Sequence, residues 1–154
     1  MRGILGLAVA FALAACADGG FVGRTGQFSG VWLYEFEGSM FVEGASAIPA
    51  ERPAYEETDW LEYSFDEPHI RQLVEEWRYD EARSCYLVQP FLVTFIGRRT
   101  HHPFDGAGHM SLHRKKVTVS RTLSIRRLGP SFCYEGDRML GTESPQAGPR
   151  PTAG

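Results

Sequence analysis

A run of alternating residues in the last third of the chain constrains the fold more than any other feature. From residue 117 to residue 125 the apolar side chains occupy odd positions, while every even position is Thr or Ser. The apolar residues are Val117, Val119, Leu123 and Ile125. A period of two predicts a β-strand that buries this face. Arg121 interrupts the apolar face, so its guanidinium is expected to reach solvent or a partner.

Two earlier segments show the same alternation. Residues 31–37 (VWLYEFE) place Trp and aromatic side chains on one face and two glutamates on the other. Residues 60–65 (WLEYSF) alternate again, and residues 43–58 between them have the Ala, Pro and Glu content of a surface loop. Each alternating segment therefore predicts a half-buried strand. The tryptophans of the chain fall on apolar stripes and are expected in the core: Trp32, Trp60 and Trp77.

Residues 85–96 (CYLVQPFLVTFI) are apolar on both faces. Such a segment predicts a central strand that is covered on two sides. Pro90 cannot donate a hydrogen bond to a neighbouring strand, so it marks a bulge or an edge. Residues 132–134 predict a short last strand.

A helix is predicted from about residue 67 to residue 79. Asp66 is a suitable N-cap, and Pro68 suits a first turn. Apolar residues follow at helical spacing: Ile70, Leu73, Val74 and Trp77. Strands in antiparallel order with one helix predict an α+β domain that is mainly antiparallel β, as a curved sheet or partly closed barrel with the helix packed against it.

The N-terminus has the layout of a secretory signal, with Arg2, an apolar run to Ala12, and small residues before a cysteine. The apolar run is shorter than the ~20 residues that a membrane-spanning helix needs. The sequence Leu13-Ala14-Ala15-Cys16 resembles the lipobox of bacterial lipoprotein precursors, and an ordinary signal cut near Ala15 is the alternative.

The resemblance implies removal of residues 1–15 and a lipid on Cys16 that holds the protein to a membrane. In an envelope with two membranes, Ala17 after the cysteine implies the outer membrane, facing the periplasm, although Asp18 leaves this open. Residues 16–27 are then expected to be a flexible tether. A single domain follows at 28–140, and 141–154 is predicted to be a disordered tail.

If lipid occupies Cys16, only Cys85 and Cys133 remain as thiols. In an exported protein such a pair is expected to form a disulfide, and two buried free thiols are the alternative. The long loop between them gives the disulfide about 4 kcal/mol of stabilisation in the chain-entropy model.

Charge is distributed unevenly along the chain. Residues 35–81 hold 14 acidic side chains against 3 arginines, whereas residues 97–127 hold 8 basic side chains against Asp105. The two segments are expected to lie together and neutralise each other. The alternative is a basic patch for an anionic envelope component such as lipid phosphates, formed by Arg98, Arg99, Arg114, Lys115 and Lys116. The whole chain has a net charge of -3, which argues against nucleic-acid binding.

A histidine-rich segment gives a weak metal-binding pattern. Its potential ligands are His101, His102, Asp105, His109 and His113. Their spacing matches no helix-borne metal motif, and solvent-exposed loop histidines are the plainer interpretation. No nucleophile motif or facing carboxylate pair occurs, so we expect no enzyme activity and no cofactor.

The sequence therefore predicts a lipid-anchored envelope protein that acts as a non-enzymatic binding or structural module, with an envelope protein or anionic component as partner. Residues 28–32 (FSGVW) weakly resemble the Gly-x-Trp start of lipocalin-like barrels. That resemblance implies the alternative of a carrier or sensor of a small apolar ligand. A hydrolase using the segment from His101 to His113 is a further alternative.

Overall fold

The structure is a computed structural model that describes residues 21–64 and 68–137. The predicted signal peptide, Cys16 and the predicted tail at 141–154 lie outside the described residues. In chain order the elements are β1 (Phe21–Glu35), β2 (Gly38–Glu43), β3 (Asp59–Glu62), α1 (Pro68–Leu73), β4 (Tyr79–Asp80), β5 (Cys85–Tyr86), β6 (Gln89–His101) and β7 (Lys115–Arg127). Short 3-10 turns occur at Tyr55–Glu57 and His109–Ser111.

Within the described residues, five strands close into a ring in the order β1-β2-β3-β7-β6. Neighbouring strands run antiparallel except β3 and β7, which pair in parallel from Trp60 opposite Lys116 to Glu62 opposite Thr118. The short strands β4 and β5 form a separate pair. The predicted class, mainly antiparallel β with one helix on a partly closed barrel, is therefore confirmed.

Strand β1 begins earlier than the sequence indicated, within the segment expected to be a tether. Phe21 pairs with His101 and Val22 with Thr100, before a bulge that precedes Thr25. A Cβ atom at Gly23 would lie 2.9 Å from the carbonyl oxygen of Arg99. The glycine at this position therefore reflects close packing of two strands and not a flexible linker.

Helix α1 ends at Leu73, well before the predicted end at residue 79. The backbone N–H of Glu75 donates to Gln89 Oε1 at 2.9 Å, and Gln89 Nε2 donates to the carbonyl of Glu75 at 2.8 Å. The Gln89 amide is buried and satisfies both backbone groups of Glu75. These bonds draw the chain away from helical geometry towards β6, so Trp77 lies beyond the helix.

Strand β7 is formed as predicted, but its alternation is broken by two irregularities opposite β6. The register shifts between Thr94 and Phe95 and again between Ile96 and Gly97. As a result Leu123 is exposed, which corrects its predicted place on the buried face. Thr122 instead turns towards the core, where its hydroxyl bonds to the hydroxyl of Tyr63.

The barrel interior is filled by side chains from every strand of the ring. Trp32 stacks on Tyr63 with ring centroids 4.9 Å apart and packs against Phe91 at 5.2 Å. The ring centroid of Phe95 lies 5.6 Å from that of Phe28 and 5.3 Å from that of Phe41. These rings, with Leu61, Ile70, Val93 and Val117, form one buried cluster.

A second apolar cluster covers the outer face of β1, where alternate side chains point away from the ring. It contains Val31, Leu33, Met40, Val88 and Tyr134. The chain after β7 is held here by hydrogen bonds between Val88 and Phe132 at 2.8 and 3.1 Å. The predicted strand at 132–134 is thus a single β-bridge.

The disulfide between Cys85 and Cys133 is present, with the two Cα atoms 6.3 Å apart. It joins β5 to the segment that follows β7 and so fixes the outer cluster. The predicted strand at 85–96 is divided into β5 and β6, and Pro90 lies at the start of β6.

Candidate ligand-binding groove

The acidic and basic segments meet along one side of the barrel, as predicted. Ion pairs between the two segments are Arg99–Glu43, Arg99–Asp59, Lys115–Asp59, Lys116–Glu62 and Arg127–Glu75, and His109 Nε2 lies 3.2 Å from Glu37. Mutual neutralisation, the simpler of the two interpretations of the charge pattern, therefore accounts for much of the basic segment.

Arg99 is the most strongly held of these cations. Its Nη2 atom lies 2.5 Å from Asp59 Oδ2 and 2.6 Å from Glu43 Oε2. Burial alone would lower the pKa of Arg99, but the bonds to these carboxylates outweigh it and raise the pKa above its ordinary value. Lys115 Nζ lies 3.5 Å from the other oxygen of Asp59. Arg99 and Lys115 therefore form ion pairs with carboxylates of the same chain.

Arg98 and Arg114 differ from the other members of the predicted basic patch. Both are exposed, and neither forms an ion pair with a residue that the structure describes. Arg114 donates one hydrogen bond to the carbonyl of Pro103 at 3.2 Å. Lys116 is intermediate, because its ammonium lies 3.6 Å from the half-exposed Glu62.

The histidines of the metal-binding hypothesis have separate surroundings. His102 is buried, with Nε2 3.0 Å from the Thr100 hydroxyl and Nδ1 3.6 Å from Asp105. His109 lies 3.2 Å from Glu37, and His101 is exposed. Across 21–64 and 68–137, no group of three His, Cys, Asp or Glu side chains is placed to hold a metal ion.

His113 is enclosed by aromatic rings and is buried. Its Nδ1 atom lies 3.3 Å from the Thr58 hydroxyl, and its ring meets the edges of Tyr55 at 5.3 Å and Trp60 at 5.7 Å. Burial lowers the pKa of His113, although Thr58 and Asp59 act in the opposite direction. A neutral imidazole fits this packing role.

A groove of about 660 Å³ opens beside the β1–β2 turn. Its walls are the end of β1, strand β3 and the segment after α1. The aromatic side chains that line it are Tyr34, Trp60, Tyr63 and Trp77. Gly108 makes the close approach of the β6–β7 connection possible, because a Cβ atom there would lie 2.2 Å from the Trp60 ring and its φ is +75°.

Trp77 is 48% exposed but is held by aromatic neighbours. Its ring lies 6.0 Å from Tyr34 and 5.4 Å from Phe36, edge-on to the latter. Phe36 in turn stacks on Tyr86 at 4.3 Å. Burial raises the pKa of Tyr34, with a hydrogen bond to Trp77 acting against this effect. The groove thus presents fixed aromatic faces to solvent.

Carboxylates occupy the rim of the groove. Glu37 and Glu62 are each half exposed; Glu37 lies 3.2 Å from His109 Nε2, and Glu62 lies 3.6 Å from Lys116 Nζ. Thr118 also donates to Glu62 at 2.8 Å. Glu35 is different, because its carboxylate is buried and turned away from solvent. The accessible rim is therefore acidic.

Glu35 belongs to a cluster on the other side of the β1–β2 turn, next to a cavity of about 340 Å³. Arg52 donates to Glu35 at 2.5 and 2.8 Å and to Asp137 at 2.7 and 2.6 Å. Its guanidinium lies 5.2 Å from the Tyr134 ring centre. Burial raises the pKa of Tyr134 to about 12. Arg52 thus links Glu35 on β1 to Asp137 in the segment that follows β7.

The sequence predicted that Trp32, Trp60 and Trp77 lie in the core, which is correct only for Trp32. The sequence did carry a signal for the partial exposure of Trp60, because alternation places Trp60 on the same strand face as Glu62 and on the opposite face from the buried Leu61. Trp77 carried no such signal, since its exposure follows from the early end of α1.

The chain was compared with protein-family models, with curated proteins and with solved structures. None of them matches. Within the described residues, helices long and apolar enough to cross a bilayer are absent.

Proposed function

We propose that this protein is a lipid-anchored, non-enzymatic binding module of the bacterial cell envelope. Its groove would receive a basic segment of another envelope protein, with a lysine or arginine side chain against the aromatic faces. The anchor is supported by Leu13-Ala14-Ala15-Cys16, and the disulfide suits an oxidising compartment. Ala17 favours the outer membrane, facing the periplasm, if the envelope has two membranes.

The observation that carries the binding role is that the exposed Trp77 and the half-buried Tyr34 and Trp60 share one groove with an acidic rim. A cation over a Trp or Tyr face gains about 0.5 to 2 kcal/mol. Glu37 and Glu62 add favourable electrostatics at the rim and disfavour an anionic ligand. An aliphatic stem ending in a cationic head therefore matches both surfaces of the groove.

The alternative functions find less support in the geometry. The carrier hypothesis needs space between Trp32, Tyr34, Phe36 and Phe95, yet Trp32 and Phe95 are fully buried and pack against other rings. The hydrolase hypothesis needs the histidines to converge, and each has its own neighbours. The open groove beside the barrel supports a binding role better than either.

The binding role can be tested by calorimetric titration of the lipidated protein in detergent. The probes are acetyl-Phe-Lys-Phe-amide and its Gln and Glu counterparts, which differ only in the central side chain. We expect the Lys peptide to bind most tightly and the Glu peptide least.

Variants locate the binding within the groove. Trp77→Ala should weaken binding of the Lys peptide by roughly tenfold, as expected for loss of about 1.4 kcal/mol of aromatic contact. Glu62→Gln should reduce the preference for Lys over Gln. Tyr79→Ala is the matched control, because Tyr79 is an exposed aromatic residue outside the groove lining. Equal affinities for all three peptides, or an unchanged affinity in Trp77→Ala, would contradict the proposal.

A further inference from the structure

The N-terminal chain enters the barrel beside the β6–β7 connection. Phe21, the first described residue, pairs with His101, and His101 also pairs with Lys115 at the start of β7. The connection at residues 102–114 therefore begins and ends at the edge where β1 starts. We call this edge, with the parts of the connection next to the strands at residues 102–105 and 114, the anchor end of the barrel.

Chain length ties the anchor end closely to Cys16. Phe21 follows Cys16 by five positions in the sequence, and a fully extended chain advances at most ~3.6 Å per position, so the two lie within about 18 Å. Strand β6 alone spans roughly 40 Å at ~3.3 Å per residue. A tether extending to residue 27 would have left the orientation of the domain open, whereas the strand at Phe21–Gln27 shortens it.

The most exposed large apolar side chain of the described residues lies at this end. Phe104 is 86% exposed and is three residues beyond His101. Arg114 donates to the carbonyl of Pro103, directly beside Phe104, and Arg98 lies on β6 opposite Thr25. Both arginines are exposed, and Asp105 in the same connection has its carboxylate 3.6 Å from His102 Nδ1. An apolar tip near exposed guanidinium groups that form no ion pair with a described residue matches the chemistry of an anionic lipid surface.

We infer that the anchor end faces the membrane, with Phe104 inserted at the interface and Arg98 and Arg114 against lipid phosphates. This inference rests on the lipid anchor of the proposed function but not on the groove. It assigns Arg98 and Arg114, the two exposed arginines of the predicted basic patch, to lipid headgroups. A domain held in this way keeps a fixed end towards the bilayer and does not tumble on its anchor.

Spin labelling of the acylated protein tests the orientation. Because lipid occupies Cys16 and a disulfide joins the other cysteines, Phe104→Cys introduces a unique thiol for a nitroxide. Ser124→Cys is the matched control, an exposed site on β7 opposite Thr94. In vesicles of phosphatidylethanolamine and phosphatidylglycerol, the label at 104 should lose accessibility to a water-soluble nickel complex, while the label at 124 keeps it.

A second pair of samples distinguishes the effect of the Phe104 ring from the effect of the label. A nitroxide at Asp105→Cys should be protected from the nickel complex when Phe104 is present and lose that protection in Phe104→Ser. Equal exposure of the labels at 104 and 124, or no effect of Phe104→Ser, would overturn the inference.

Intact mass of the same samples distinguishes the two levels of failure. Protein without acyl chains would contradict the anchor and the inference together. Acylated protein with a fully water-exposed label at 104 would contradict the inference alone.

Discussion

At the scale of single residues, Arg52 links distant segments of the chain that no sequence motif predicts to be in contact. It lies in the loop between β2 and β3, yet its guanidinium bonds to Glu35 on β1 and to Asp137 near the end of the described chain. Glu35 was predicted on the solvent face of its strand by alternation alone. Its burial depends on a partner 17 residues away, which periodicity cannot reveal.

Arg52→Ala should lower the free energy of unfolding by about 2 to 3 kcal/mol. The substitution leaves the buried Glu35 carboxylate without its partner, while the 23% exposure of Arg52 keeps the loss below that of a fully buried pair. Urea unfolding measures the change. Arg24→Ala is the control, because Arg24 is 60% exposed and its pair with Glu43 should contribute about 0.5 kcal/mol or less. Similar losses in both variants would show that the Arg52 cluster has no special role.

His113 gives the protein a pH dependence of defined sign. Burial lowers its pKa in the folded state below the ordinary value of 6.5, so protonation favours the unfolded chain. The contribution of neutral His113 to the free energy of unfolding is complete above about pH 6.5 and is lost as the pH falls through the lowered pKa. Unfolding midpoints in urea should therefore fall on acidification, and fall less steeply in His113→Gln. A pH slope that is unchanged in His113→Gln would refute the assignment.

At the scale of elements, the disulfide has the clearest energetic consequence. It closes a sequence separation of 48 residues and fixes the segment after β7 over the outer face of β1. The double variant Cys85→Ser/Cys133→Ser should lose about 4 kcal/mol of stability by the chain-entropy model. Denaturant unfolding of wild type with and without reductant should show the same difference. Ready alkylation of both thiols in the native, unreduced protein would contradict the pairing.

The strands were predictable from the sequence where alternation is undisturbed, and their boundaries were not. Strand β7 was located correctly, but the exposed Leu123 shows that a bulge changes which face a residue occupies. Helix α1 is shorter than its apolar spacing predicted because Gln89 captures the backbone of Glu75. The start of β1 was missed because Gly23 gives no alternation, although close strand packing is the reason for the glycine. In each case the deciding contact comes from a distant part of the chain.

At the scale of the whole molecule, the charge pattern anticipated the tertiary arrangement better than any local motif did. The prediction that the acidic and basic segments meet is confirmed by the ion pairs of Asp59, Glu43 and Glu62. The parallel pairing of β3 with β7, which closes the ring, could not be predicted, because residues 63–114 intervene. The groove was also beyond prediction, since its walls come from β1, β3 and the segment after α1, brought together only by ring closure.

The central claim is that the protein is held to a membrane by lipid on Cys16. Intact mass spectrometry of protein purified from the membrane fraction tests it most directly. The account predicts a chain that begins at Cys16 and carries a thioether-linked diacylglycerol, with or without an N-acyl chain, and predicts that Cys16→Ser abolishes this modification. A wild-type protein recovered without acyl chains, either soluble or cut at another residue, would contradict the account.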